Sequence, residues 1–180
     1  MSIAFMAIGI PGCGKSTWAG KVEGLPSARM QLLGDPRQSC VVLSTDDIIT
    51  QIGSEYGFSY NDAFQKLYPF AEKVMYKDLE AAVAVERDIY WDQTNLTAKV
   101  RRRKLEMIPA YYMKVAVCFA TSLDEAKKRN EKRSAKVIPA HVIDNMWQQL
   151  ELPTFDEDFD RIINVDNTGC KFQISTRQTK

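Results

Sequence analysis

Ser2-Ile3-Ala4-Phe5-Met6-Ala7-Ile8-Gly9-Ile10-Pro11-Gly12-Cys13-Gly14-Lys15-Ser16-Thr17-Trp18-Ala19 is the stretch whose reading decides the fold. An apolar run, a glycine-rich break and a polar restart follow one another, which predicts a buried strand over 2–9, a loop, and a helix from Lys15 to about Glu23. Gly9, Gly14, Lys15 and Ser16 satisfy the spacing GxxxxGK[ST]. The glycines let successive backbone N–H groups turn inward as an anion nest, and the helix behind them adds the positive end of its dipole. The expected ligand is a nucleoside triphosphate held by Gly12, Cys13, Gly14, Lys15, Ser16 and Thr17. Lys15 is then a mobile charge beside the transferring phosphate, and the Ser16 hydroxyl a ligand for a bridging magnesium ion.

Outward from this stretch, strands and helices alternate. Strands are expected at 40–44, 88–92, 112–120 and 160–165. Helices are expected at 46–52 with Thr45 as a possible cap, over about 61–85 with Pro69 as a kink or boundary, and at 97–108. Two more are expected from Ser122 to about Arg133, with Glu125 completing a capping box, and from Pro139 to about Leu150. The Gly-, Pro- and Ser-containing segment 24–39 reads as a connecting loop, and the tail from about Thr168 as loosely ordered. This order predicts an α/β architecture, a central parallel sheet with helices on both faces, in one domain spanning 1–180.

The bulk properties narrow the class. The chain has 180 residues, 45% apolar and 26% charged, with a formal net charge of +1. That is the composition of a globular protein with no global field toward nucleic acid or membrane, so a polyanion would need a local basic patch. No apolar stretch approaches the ~20 residues of a membrane span, and no signal peptide is evident, so a cytoplasmic protein is expected. Cys13, Cys40, Cys118 and Cys170 stand apart without a CxxC pair, which points to reduced thiols rather than a zinc site. Cys13 is either a reactive thiol or a filler in the loop, and the lone His141 is expected on a helix surface.

Three clusters bear on an acceptor. Asp46 and Asp47 follow the second strand, where ligands of parallel sheets gather, and fit either an acid–base role or helix caps. Asp92-Gln93-Thr94-Asn95-Leu96 ends the third strand and fits a polar site or an Asx turn. Arg129 and Arg133 are spaced i, i+4 in Arg129-Asn130-Glu131-Lys132-Arg133-Ser134-Ala135-Lys136-Val137-Ile138-Pro139 and form either a solvated face or a clamp over phosphates.

From about Ile3 to Leu152 the chain resembles the 5′-hydroxyl kinase domain of phage-type polynucleotide kinases. The likeness is closest in Gly9–Ala19, Asp46-Asp47, Asp92–Leu96 and the RNxKRxxKxxP pattern of Arg129–Pro139. The resemblance implies the P-loop kinase fold with a helical lid at about 126–140, and transfer of the ATP γ-phosphate to a DNA or RNA 5′-hydroxyl. It assigns Lys15 and Ser16 to phosphate and Mg2+, Asp46 as general base, and Arg133, with Arg129 as partner, as lid arginines on the triphosphate. Asp92, Thr94 and Ile138 fall on the acceptor side, Ile138 beneath a nucleobase, although Gln93 is an extra residue in the DxTN-like cluster. An arginine that contacts an acceptor phosphate in the family is here Ile49, which makes Arg101, Arg102 and Arg103 candidate replacements. No DxDGT phosphatase motif follows Val165, so a stand-alone kinase without 3′-phosphatase activity is expected, in a nucleic acid repair role. The rival readings are a small-molecule kinase of the same fold and a non-catalytic nucleotide-binding module.

Overall fold

The computed structural model describes residues 1–21, 24–35, 40–133, 136–166 and 171–176. Its strands are β1 (Ile3–Ile8), β2 (Cys40–Leu43), β3 (Asp88–Trp91), β4 (Met113–Phe119), β5 (Arg161–Val165) and β6 (Phe172–Thr176). They form one six-stranded sheet in the order β2-β3-β1-β4-β5-β6. The first five are parallel, and β6 pairs antiparallel with β5. The helices are α1 (Lys15–Ala19), α2 (Leu25–Leu33), α3 (Thr45–Glu55), α4 (Tyr60–Ala84), α5 (Ala98–Leu105), α6 (Leu123–Glu131) and α7 (Ala140–Gln148).

Every residue of β1 is buried, which explains its unbroken apolar run: both faces of a central parallel strand are covered. Ile3, Phe5 and Ala7 point to one core with Trp18, Ala28, Ala126 and Ile143. Ala4, Met6 and Ile8 point to the other, against Met75 and Leu79 of α4 and Leu105 of α5. The chain leaves β1 for the β2–β3 side and later returns to its other side with β4. The carboxyl end of β1, at Gly9, therefore lies at the switch point where open α/β sheets form their crevice.

Several expectations are corrected. Segment 24–39 is not all loop: Leu25–Leu33 is helical, because Pro26 stands in the first turn, where its missing N–H costs nothing. Gly34 ends that helix in the left-handed region (φ 68°). The tail contributes β6, whose amide groups complete the ladder on β5. Helix α3 runs through Gly53 to Glu55, since this glycine lets α3 approach α4: a Cβ there would lie 2.7 Å from Ala63 Cβ. Pro69 neither splits nor bounds α4. Helix α1 stops at Ala19 with Gly20 as its C-cap, short of the end expected near Glu23, which itself lies outside the described residues. No helix among the described residues is long and apolar enough to cross a membrane.

Candidate active site

The loop after β1 is shaped by its glycines. Gly12 (φ 85°) and Gly14 (φ 102°) adopt left-handed backbone, and a Cβ on Gly12 would collide with the Ala126 carbonyl oxygen of α6. Thr121 Oγ1 donates to the Cys13 carbonyl at 3.1 Å and holds the loop from beneath. The Cys13 side chain is buried in the core, so it fills space rather than presenting a thiol. Lys15 Nζ folds over the loop and donates to the Gly9 and Ile10 carbonyls, each at 3.0 Å.

The turn after β3 is tied to this loop. Ser16 Oγ donates to Asp92 Oδ2 at 2.6 Å, and Gly9 N–H donates to the Thr94 carbonyl at 3.1 Å. Burial pushes the Asp92 carboxyl above its usual range, reinforced by Asp47 and Asp46; the Ser16 hydrogen bond and Lys15 pull it back. Asn95 sits at φ 47° and donates through Nδ2 to the Ala7 carbonyl at 2.7 Å. Gln93, the extra residue of the cluster, joins three elements. Its Oε1 accepts from Trp91 Nε1 (2.9 Å) and Lys104 Nζ (2.5 Å), and its Nε2 donates to Thr45 Oγ1 (3.0 Å).

Asp46 stands in the first turn of α3. The N-cap is Ser44, whose hydroxyl accepts from Asp47 N–H at 3.1 Å; Thr45 lies inside the helix and serves Gln93 instead. The carboxylate of Asp46 has two partners that the sequence left unassigned. Tyr60 OH donates to Oδ1 at 2.6 Å, and the Lys136 ammonium pairs with Oδ2 while lying 4.6 Å from the Tyr60 ring centre. Lys136 is the second lysine of the quoted lid pattern, whereas Tyr60, fourteen residues downstream, carried no local signal.

The lid arginines reach the loop from separate backbone elements. Arg129 Nε donates to Glu125 at 2.7 Å, and its Nη1 hangs over Gly14, where a Cβ would be 3.8 Å away. Arg133 is not on the same helical face, because α6 ends at Glu131 and Lys132 is its C-cap. Both nevertheless line one cavity of about 370 Å³ with Gly12, Gly14 and Thr17. Buried Asn130 clasps the lid: it accepts from Ile138 N–H (3.0 Å) and donates to the Ile138 carbonyl (2.7 Å). His141 is exposed on α7, as expected.

A second cavity, of about 470 Å³, brings Lys15, Ser16, Asp46, Asp92, Thr94 and Arg133 together. A third, of about 440 Å³, shares Asp46, Thr94, Lys136 and Ile138 with it. Its walls are Tyr60, Phe64 and Tyr68 on α4, with ring centres 6.0 and 5.1 Å apart, facing Ile138, Val142 and Met146.

The three candidate arginines of α5 diverge, and position 49 lies apart from all of them. Arg101 is fully buried: it pairs with Glu157 at 2.8 Å and donates to the carbonyls of Asn95, Leu96 and Glu151. It is a structural clasp on the Asp92–Leu96 turn, not a phosphate ligand. Arg102 is exposed, and Arg103 lines a further cavity beside Thr94. Ile49 is fully buried against Ala63 and Ala71, so position 49 serves the α3–α4 core and faces no acceptor.

The donor set at Ser16 and Asp92, a hydroxyl and a carboxylate whose charge is costly in its buried setting, fits a hard divalent cation. No group of three His, Cys, Asp or Glu among the described residues could hold a metal unaided. A Mg2+ ion here would take its remaining ligands from phosphate and water, as that ion ordinarily does.

The fold has known relatives. It matches a chain of the PezAT chromosomal toxin-antitoxin system of Streptococcus pneumoniae at a TM-score of 0.59 and 17% identity, covering 93% of this chain and 68% of that one. It matches a candidate kinase from Chloroflexus aurantiacus j-10-fl at 0.55 and 14%, covering 92% and 88%. A family profile described as AAA domain matches residues 5–153. The chain belongs to this AAA domain family, in which it is a nucleotide-binding domain with the fold of P-loop kinases.

Proposed function

We propose that this chain is an ATP-dependent kinase that phosphorylates the 5′-hydroxyl end of DNA or RNA. The observation that carries the reading is the position of Asp46. It stands where the cavity of Lys15, Ser16 and Arg133 opens into the one walled by Tyr60, Phe64, Tyr68 and Ile138. A triphosphate on the loop and an aromatic base between these walls would meet at this carboxylate. Flat apolar walls with aromatic rings suit a nucleobase, because every base offers a π-face.

In the proposed reaction Gly12, Gly14 and Thr17 hold the donor phosphates, and Ser16 and Asp92 would hold Mg2+. When bound, that ion neutralises charge on the β- and γ-phosphate oxygens. Lys15 leaves the Gly9 and Ile10 carbonyls for the γ-phosphate. Asp46 accepts the proton of the 5′-hydroxyl as the new O–P bond forms and the bond to the β-phosphate oxygen breaks, releasing ADP. Tyr60 holds one oxygen of Asp46, and the other meets the acceptor once Lys136 has left it. Arg133 and Arg129 spread charge from the equatorial oxygens, and Thr94 and Ile138 position the acceptor.

The test is Mg2+-dependent transfer of labelled γ-phosphate to matched 5′-hydroxyl DNA and RNA oligonucleotides, run beside a small-metabolite panel. Transfer to an oligonucleotide 5′ end supports the proposal. The size of the aromatic-walled cavity, about 440 Å³, also suits a lone sugar or nucleoside, and transfer only to such compounds would replace the proposal by a small-molecule kinase. ATP binding without transfer to any hydroxyl would make the chain a binding module.

A further inference from the structure

Beyond the aromatic-walled cavity lies another of about 410 Å³, which shares Tyr68, Gln93 and Thr94 with it. Its floor is the turn after β3, one wall is α4, and the other is α5. The lining combines two aromatic rings, Tyr68 and Tyr76, with side-chain amides of Gln93 and Asn95 and two cations, Arg103 and Lys104. Lys104 Nζ donates to Gln93 Oε1 (2.5 Å) and Asn95 Oδ1 (2.6 Å), so it is anchored within the lining. Among the described residues Arg103 has no hydrogen-bond or ion-pair partner, and it stands exposed at the edge of this space.

We infer that this cavity is the subsite for the second nucleotide of the acceptor, its phosphate held by Arg103 and its base against Tyr68 and Tyr76. The inference rests on the reading of Asp46 as the place where a 5′-hydroxyl is held. Three features argue for a nucleotide rather than another occupant. The two cavities adjoin along Tyr68, Gln93 and Thr94, so the second is the neighbouring space for a chain that leaves the first. The pairing of a free guanidinium with phenol rings matches a phosphate joined to a flat base. Burial pushes the Lys104 ammonium down to about 7, and an anion beside it would favour its charged form. Glu72, on the α4 wall, is hydrogen-bonded to Tyr68 and favours the charged form of Lys104, so its negative charge keeps a phosphate to the α5 side of the cavity. Gln93 then joins acceptor recognition to α3, since the amide that borders this subsite also holds Thr45 beside Asp46.

The experiment measures binding, independent of turnover, to a ladder of 5′-hydroxyl ligands: a nucleoside, its 3′-monophosphate, a dinucleotide and a trinucleotide. Phosphate transfer is recorded in parallel. Affinity should rise at the phosphate and again, by about ten-fold, at the second base, and change little at the third. Arg103→Ala should remove the phosphate gain while leaving nucleoside affinity unchanged, and Arg103→Glu should turn that gain into a loss. Equal affinity for nucleoside and dinucleotide, or a ladder unaltered by Arg103→Ala, would overturn the inference. If the ladder holds but no ligand is phosphorylated, the subsite stands and the kinase reading falls. If transfer occurs with a flat ladder, the kinase reading stands and the subsite falls.

Discussion

The phosphate loop and the proposed acceptor pocket meet at Asp46 but are built by opposite means. The loop is main chain: Gly12 and Gly14 set its course, Thr121 props it, and the glycine against α6 admits no side chain. The acceptor pocket is side chain. It joins Asp46 from α3, the rings of α4, Gln93 from the turn after β3, and Lys136 and Ile138 from the lid. Backbone architecture is fixed by local spacing and accommodates any triphosphate. A pocket of side chains on four elements depends on tertiary packing, and that is where selectivity between acceptors can reside.

This contrast is best broken at the residues that bridge it. Arg133→Ala should give the largest effect: a fall of ~10³–10⁵ in kcat, read from single-turnover transfer, with unchanged thermal unfolding because the side chain is exposed. Arg101→Ala should instead strike the fold, costing about 3–5 kcal/mol in denaturant unfolding by leaving Glu157 buried without its cation. Asp46→Asn should lower kcat by ~10²–10⁴ while ATP affinity holds, and near-wild-type turnover would remove the base assignment. Tyr60→Phe, which deletes only the donor to Asp46, should lower kcat about ten-fold without altering the KM for ATP.

A further effect is one of pH. Burial holds Lys104 at about 7, below its ordinary 10.5, so between these values the unfolded chain binds the proton that the folded chain has lost. Stability from this residue is therefore least below pH 7 and rises toward pH 10. Lys104→Met should flatten that slope in urea titrations across the range.

The donor half was legible because its information is local. The GxxxxGK[ST] spacing, the buried run of β1 and the strand alternation each announce themselves within a few residues. Helix α2 was hidden by Gly24, Pro26 and Ser27, which read as loop residues although proline is at home in a first turn. Strand β6 needed β5 beside it to be a strand at all. Arg101 and Arg103 sit two residues apart on α5, yet one is a buried clasp and the other edges a cavity; helix phase alone could not tell which way the sheet lies. Ile49 marks a departure in sequence whose reason is packing between α3 and α4. Tyr60 and Lys136 converge on Asp46 only after α4 and the lid have folded over it.

That convergence bears on a hazard common to proteins that carry a triphosphate: spending it on water. With Tyr60 on one oxygen and Lys136 on the other, the carboxylate of Asp46 rests capped at both ends. A stray water reaching the cleft must compete with both donors for the lone pairs that would take its proton. An acceptor whose phosphates draw Lys136 aside uncovers the acid only when there is a hydroxyl to receive the phosphate. Under the proposed function, idle hydrolysis of ATP is restrained by the same lysine that a polyanionic acceptor displaces.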